Sequence, residues 1–300
     1  MQRIKPGRLH RAATAILAAL LLAAPHPVEA EQLTRETEQA FARYVQDREA
    51  VMDQEIAGRT YFLCIDALST ASRDLARAAL SNGKVLIGAD LASNSADIIP
   101  VPGGLIHDWT GVVFIPGVSM SKVISTLQNY DRAEQYYEPQ VVKSKLLEHS
   151  GNDFRVFLRL RQVHVITVVL DTDYLVHYTF LDPAHVAARS YSVRIREVEN
   201  VGEAAERERP PGDDDGFLWR LNSYWRLYQT QDGVYVQCTA ISLTRDVPAG
   251  LGWLVRRFLE TIPRDSLRFT LESTRHAVMN QVEGEPGVNE SHIGDSSDER

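Results

Sequence analysis

Hydrophobic and polar residues alternate along the second half of the chain in short runs that predict β-strands. The clearest run is 154–160, where Phe154, Val156, Leu158 and Leu160 face one way and Arg155 and Arg159 face the other. A two-residue period of this kind is typical of a strand that buries one face. Further runs, each bounded by turn residues, predict strands at 104–115, 141–149, 163–170, 174–181, 191–198, 217–229 and 234–243. A turn is predicted at 171–173, between two of these strands.

Apolar residues spaced for a helix occur on both sides of this series of strands. At 34–56 they form one stripe behind a predicted N-cap at Thr34. Shorter helices are predicted at 72–80 and after Ser119, and a long helical segment ends the pattern. Pro263 is expected to break or kink that last helix, because proline removes a backbone donor and clashes with the preceding turn.

The order of these elements predicts an α+β fold with a helix-grip architecture. A strand and a helix precede about six antiparallel strands, and a long C-terminal helix follows them. We expect a curved antiparallel β-sheet wrapped around that C-terminal helix, with an N-terminal helical extension. A groove between a curved sheet and one helix is a natural place for an apolar cavity.

Several local segments add to this pattern and point to a family. The chain resembles the START/Bet v 1-like superfamily (SRPBCC, polyketide cyclase/dehydrase and lipid-transport proteins) over roughly 100–280, and looks like exported bacterial members of it. The segments that carry the resemblance are 103–109 (Gly-Gly-Leu-Ile-His-Asp-Trp), 224–226 (Tyr-Trp-Arg), 232–236 (Asp-Gly-Val-Tyr-Val), 242–248 (Ser-Leu-Thr-Arg-Asp-Val-Pro) and 252–253 (Gly-Trp). The resemblance implies a helix-grip domain that binds a lipid or another hydrophobic small molecule.

The residues predicted to contact such a ligand are mostly aromatic or histidine side chains of the strands. Alternation places Tyr224 and Arg226 on one face of a strand and Trp225 on the other. If Arg226 faces the cavity, it could bind an anionic headgroup or a carboxylate; the alternative is an outward Arg226 with Trp225 in the core. The complete set of predicted ligand contacts is Tyr178, His177, Trp219, Tyr224, Arg226 and Trp253.

The N-terminal 30 residues have the three parts of a secretory signal peptide. A basic start precedes an apolar run at 12–24, and small residues at Val28 and Ala30 mark a cleavage site. The apolar run is short for a membrane span, so an uncleaved anchor is the weaker alternative. We therefore expect a periplasmic or secreted protein. The predicted organisation is a signal peptide at 1–30, an N-terminal helical extension at 31–99, the helix-grip domain at 100–280 and a disordered acidic tail at 281–300.

Composition narrows the range of functions. The formal net charge of −8 disfavours general nucleic-acid binding. Two cysteines, Cys64 and Cys238, exclude a disulfide framework, although they could pair with each other or remain separate buried thiols. The sequence contains no zinc motif, phosphate-binding loop or nucleophile elbow, so no metal or other cofactor is predicted.

Other polar residues provide candidates for chemistry or membrane contact. His107 and Asp108 are neighbours in a strand and should point to opposite faces, which disfavours a joint acid–base role. His164 and His177 could act as cavity bases or be structural histidines. Arginines at 155, 159, 161, 194 and 196 could form a basic face for peripheral membrane contact or an ordinary exposed face paired with acids.

Three functional hypotheses remain from the sequence. The first is a non-catalytic carrier or sensor that binds a hydrophobic molecule, and the second is a cyclase- or dehydratase-like enzyme that uses cavity His or Tyr residues. The third is an envelope interaction module that acts through the helix at 34–56. The volume and lining of the space under the C-terminal helix distinguish the three.

Overall fold

A computed structural model describes residues 33–58, 61–91, 96–163, 167–246 and 252–283, with side chains placed except at 96–97, 252–260 and 281–283. The predicted signal peptide, His164 and residues 284–300 of the predicted tail lie outside the described residues. None of the described helices is long and apolar enough to cross a membrane.

The element order is that of an α+β protein with helices on both sides of a run of strands. The helices are α1 (Arg35–Gly58), α2 (Thr70–Ser81), α3 (Met120–Leu127), α4 (Ala133–Tyr136) and α5 (Gly252–Glu283). The strands are β1 (Leu86–Ile87), β2 (Ala96–Val101), β3 (Gly104–Pro116), β4 (Val141–Ser150), β5 (Asp153–Val163), β6 (Thr167–Asp182), β7 (His185–Glu199), β8 (Arg207–Glu208), β9 (Arg220–Gln229) and β10 (Gly233–Arg245). Short 3₁₀ turns at Cys64–Ala67, Gly88–Asp90 and Tyr130–Arg132 connect them.

All ten strands form one antiparallel sheet. Its order is β1-β3-β10-β9-β7-β6-β5-β4, with β2 beside β1 on the edge of β3 and β8 added to β7. The sheet is curved, and α5 packs against one of its faces, which we call the inner face; α1 packs against the outer face. The predicted α+β helix-grip architecture, a curved antiparallel sheet with a long C-terminal helix against it, is therefore confirmed.

One local prediction was wrong. The segment 171–173 is not a turn but lies inside β6, because its two aspartates face arginines of the neighbouring strands and are buried by them. Of the two outcomes predicted at Pro263, a break is excluded, because α5 continues through this residue.

The position of α5 depends on a glycine in β3. Gly111 has no side chain, and Leu267 and Leu271 of α5 occupy the space above it. A Cβ atom at this position would lie 2.6 Å from Leu271 Cδ1 and 3.0 Å from Ile87 Cγ1. Close contact between α5 and β3 therefore requires glycine at 111.

The N-terminal extension covers the outer face of the sheet through paired polar groups. Arg226 is buried there, and it donates to Glu55 Oε2 (2.7 Å) and to the Phe62 carbonyl (2.9 Å). Glu49 accepts hydrogen bonds from Tyr191 (2.7 Å) and Tyr224. The strand β2 spans the predicted boundary at residue 99, so the extension and the helix-grip domain share one sheet.

The two cysteines are free thiols on different faces of the sheet. Cys238 belongs to the core of the inner face, whereas Cys64 packs with the outer cluster beside α2. Burial raises the pKa of Cys64 to about 12, which keeps that thiol protonated.

Replacing Gly111 with valine should destabilise the protein, because the branched side chain would enter the space of Leu271 and Ile87. We expect a loss of about 1–3 kcal/mol in unfolding free energy, the usual range for overpacking. Urea denaturation measures it. Gly58→Ala is the control, since a Cβ there would meet no atom within 4 Å; a Gly111→Val protein as stable as this control would contradict the close contact of α5.

Replacing Arg226 with methionine should also destabilise the protein, because the buried Phe62 carbonyl would lose its donor. The expected loss is about 1–3 kcal/mol, measured by the same denaturation assay. Glu55→Gln should have a smaller effect, since the Glu55 side chain is 40% exposed and can be hydrated. If both substitutions lowered the unfolding free energy equally, the ion pair between Arg226 and Glu55 would determine the loss of stability, and not the hydrogen bond to the buried Phe62 carbonyl.

Candidate functional site

A cavity of about 590 Å³ lies between the inner face of the sheet and α5. This volume is within the ~300–1,000 Å³ typical of small-molecule sites. Most of its wall is apolar, with Trp225 on β9 and Pro263 and Phe269 on α5 among the lining residues. Inward-facing aliphatic residues complete the wall: Val156, Leu158, Leu160, Leu170, Leu221 and Ala240.

The two-residue period of the strands determines which side chains reach this cavity. Trp225 pairs across the sheet with Cys238 on β10 and Ala188 on β7, so the three lie on the inner face. Their neighbours Tyr224 and Arg226 lie on the outer face. The question left open by the sequence is therefore answered: Trp225 lines the cavity, and Arg226 points away from it.

The polar groups of the cavity wall are neutral. They are the hydroxyls of serine, threonine and tyrosine and the amides of Asn129, Gln140 and Gln162. Among the described lining residues there is no aspartate, glutamate, lysine, arginine or histidine. Because an ionised group is costly to bury without a partner, such a wall favours an uncharged ligand.

Tyrosine hydroxyls form two hydrogen-bonded pairs at the cavity wall. Tyr130 Oη lies 3.0 Å from Tyr178 Oη, and Tyr137 Oη lies 3.0 Å from Thr274 Oγ1. Burial raises the pKa of Tyr137 to about 12 and that of Tyr130 and Tyr178 well above the ordinary value. All three hydroxyls therefore keep their protons near neutral pH, so each has a proton with which it can donate a hydrogen bond.

Of the six predicted ligand contacts, Tyr178 lines the cavity and four others lie elsewhere. His177 is exposed on the outer face beside Asp153, with 2.7 Å between Nδ1 and Oδ1. Trp219 is buried in the outer cluster and donates to Asp214 (2.8 Å). Tyr224 and Arg226 pack under α1, where Tyr224 donates to Glu49 (2.8 Å). These placements correct the expectation that His177, Trp219, Tyr224 and Arg226 face the cavity.

Trp253 lies in the first turn of α5, and its side chain is outside the described part of the structure. Residues that sequence reasoning missed as cavity contacts include Tyr130, Tyr137 and Phe269. Strand alternation could have identified Trp225 once Arg226 was assigned outward. Helical spacing after Ser119 does predict that Tyr130 is buried, but it does not predict contact with the cavity; in the structure Tyr130 lies in a 3₁₀ turn after α3.

His107 and Asp108 lie on opposite faces of β3, as their spacing predicted. His107 is buried on the inner face, where its Nε2 lies 3.1 Å from Thr244 Oγ1. Burial lowers the pKa of His107 to about 4, so this ring is neutral at pH 7. Asp108 faces α1 and accepts hydrogen bonds from Tyr44 (2.8 Å) and Arg48 (2.7 Å).

Three of the five arginines of the predicted basic face, Arg155, Arg159 and Arg194, pair with carboxylates. Arg159 donates to both carboxylate oxygens of Asp171 (2.7 and 2.8 Å) and to Glu206 (2.7 Å). Arg194 pairs with Glu208 and, at 3.7 Å, with Asp173. This pairing is typical of an ordinary solvated sheet face. The described residues contain no cluster of histidine, cysteine and carboxylate side chains that could hold a metal ion.

Comparison with known proteins found similarity among solved structures. No protein-family model matches the chain, and no curated protein matches it. A STAR-related lipid transfer protein from Xanthomonas axonopodis is similar at 16% identity, over 62% of this chain and 99% of that one, with a TM-score of 0.40. The Zhui aromatase/cyclase from Streptomyces sp. R1128 is similar at 16% identity, over 61% and 99%, with a TM-score of 0.41. Human STARD10 is similar at 11% identity, over 64% and 76%, with a TM-score of 0.41.

Proposed function

We propose that this protein is an exported carrier or sensor that binds an uncharged hydrophobic small molecule, such as a neutral lipid, between the sheet and α5. The observation that carries the proposal is the apolar cavity of about 590 Å³ under α5. Burying an apolar ligand there would remove its surface from water, which is the main driving force for binding in such sites. The neutral lining supports an uncharged ligand over an ionised one.

An enzymatic function has one observation in its favour, the convergence of Tyr130 and Tyr178 within hydrogen-bond reach. A general base must lose its proton near the working pH. Burial raises the pKa of both tyrosines, so neither supplies a base at neutral pH. The pair is better suited to binding a polar atom than to moving a proton, and we therefore favour the carrier.

An interaction module that acts through α1 is less well supported. The apolar residues Phe41 and Met52 of α1 are buried against the outer face of the sheet, so they are not available as a docking stripe. None of the side chains that the structure describes fills the space under α5. Both observations favour a ligand site over a surface-only function.

Binding can be tested with the neutral dye N-phenyl-naphthylamine, which becomes fluorescent in apolar surroundings. We expect the wild-type protein to bind it at one site, and Ala240→Trp to weaken binding at least about tenfold, because the indole would fill the cavity. Thr179→Trp is the matched control, since Thr179 is exposed on the outer face of β6. Equal binding by both variants, or no binding by wild type, would contradict the proposal.

The preference of the cavity for an uncharged ligand can be measured in the same assay, by competition with the dye at pH 7. Undecyl methyl ketone should displace the dye, and tridecanoate, which has the same number of carbon atoms, should displace it poorly. The carboxylate would leave water for a wall without a basic group among its described residues. Stronger displacement by tridecanoate would overturn the assignment of an uncharged ligand.

Export can be tested by expressing the full chain in a Gram-negative bacterium and measuring the intact mass of the purified product. We expect cleavage after Ala30, so that the mature chain begins at Glu31 and leaves the cytoplasm. Ala30→Arg should block cleavage, since the residue before the cut must be small. Recovery of the uncut wild-type chain in the membrane fraction would support an anchor and contradict the proposed processing.

A further inference from the structure

The hydroxyls of Tyr130 and Tyr178 at the cavity wall have two protons between them, but the hydrogen bond that joins them uses only one. Tyr130 Oη and Tyr178 Oη are 3.0 Å apart, and each hydroxyl carries one proton. One hydroxyl donates to the other, so the proton of the accepting hydroxyl has no acceptor among the described residues. A buried donor without a partner is unfavourable. Since both tyrosines line the cavity, a ligand atom in the cavity could accept that proton.

The second pair differs in this respect. Thr274 Oγ1 donates to the Thr270 carbonyl (2.8 Å), so its proton is already used. Tyr137 must therefore be the donor in its 3.0 Å contact with Thr274. Every hydroxyl proton of this second pair has an acceptor within the protein, although Tyr137 also lines the cavity.

The hydroxyl whose proton has no acceptor, in the Tyr130–Tyr178 pair, lies among aromatic rings at one end of the apolar wall. Phe154 packs against both tyrosines, with ring centroids 5.4 Å from Tyr130 and 5.6 Å from Tyr178. On the inner face, Trp225 belongs to β9, which is two strands away from β6 and therefore about 10 Å away across the sheet. A ligand could thus place a polar atom at the tyrosines and its hydrocarbon part along the sheet toward Trp225.

We propose that the Tyr130–Tyr178 pair is a hydrogen-bonding subsite that binds one acceptor oxygen, such as the carbonyl of a ketone or an ester, in an otherwise apolar ligand. This inference rests on the proposed function and specifies its ligand class: an uncharged molecule with an acceptor at one end. Either hydroxyl can be the terminal donor, because the two are equivalent in the pair. The subsite therefore disappears when both hydroxyls are removed, whereas removing one leaves the other free to donate.

The test compares undecyl methyl ketone with tridecane as competitors of N-phenyl-naphthylamine. The ratio of the two affinities in wild type should fall about fivefold in the double variant Tyr130→Phe/Tyr178→Phe, the effect of one net hydrogen bond. Each single variant should keep most of the wild-type ratio. Tyr137→Phe is the matched control and should keep the ratio within about twofold, because its hydroxyl is already satisfied.

The outcomes separate this inference from the proposed function. If the double variant binds the dye and keeps the wild-type ratio, the subsite is wrong and the carrier function stands. If wild type binds no dye, the carrier function fails and the subsite with it. A double variant that does not fold would show that the hydroxyls are structural, which would overturn the subsite.

Infrared spectroscopy of the bound ketone gives a second readout, which does not depend on a difference in affinity. A carbonyl that accepts a hydrogen bond absorbs at lower frequency than the same carbonyl in a hydrocarbon solvent. We expect the ketone bound to wild type to show this shift and the ketone bound to the double variant to lose it. A hydrocarbon-like frequency in wild type would overturn the subsite.

Discussion

The close contact between α5 and β3 is the constraint on which the rest of the structure depends. At Gly111 the helix lies directly on the sheet, with Leu267 and Leu271 filling the space that a side chain would take. Away from this contact, the inner face of the curved sheet and α5 enclose the cavity, which is lined by residues of β5 and β6 on one side and of α5 on the other. The same helix therefore packs closely on β3 and forms one wall of the cavity.

The two faces of the sheet meet their partners in different ways. The inner face is mainly apolar and packs on α5, whereas the outer face meets α1 through a small apolar cluster and also through charged and hydroxyl groups that are paired with one another. Arg226 and Trp225 show the difference within two residues, since one is buried in an ion pair and the other lines the cavity. A polar interface of this kind depends on satisfying every buried group, because an unpaired one is unfavourable.

The helix-grip fold could be predicted from the sequence because it depends on periodicity and element order, which are local. The aspartates at 171 and 173 show the limit of such reasoning. They have the composition of a turn, but arginines of neighbouring strands neutralise them inside β6. Those partners are distant in sequence, so no local pattern reveals them.

The candidate site was predicted less completely than the fold. Tyr178 was identified, whereas Tyr224, Trp219 and Arg226 were assigned to the cavity because aromatic and basic residues suit a ligand site. The N-terminal extension contacts these side chains instead, through hydrogen bonds to Tyr224 and Arg226 and apolar packing with Trp219, and the sequence alone did not place it on the outer face. Tyr130 was missed as a cavity contact because helical spacing indicates only that it is buried, whereas the 3₁₀ turn that holds it at the cavity depends on the folded chain.

The central claim is that an open apolar cavity lies between the sheet and α5. A crystal structure of the protein pressurised with xenon tests it most directly, because xenon enters dry apolar cavities and gives strong density there. The account predicts xenon, or a co-purified ligand, beside Trp225, Leu170 and Phe269. Side chains that fill this space, with neither xenon nor ligand density, would contradict it.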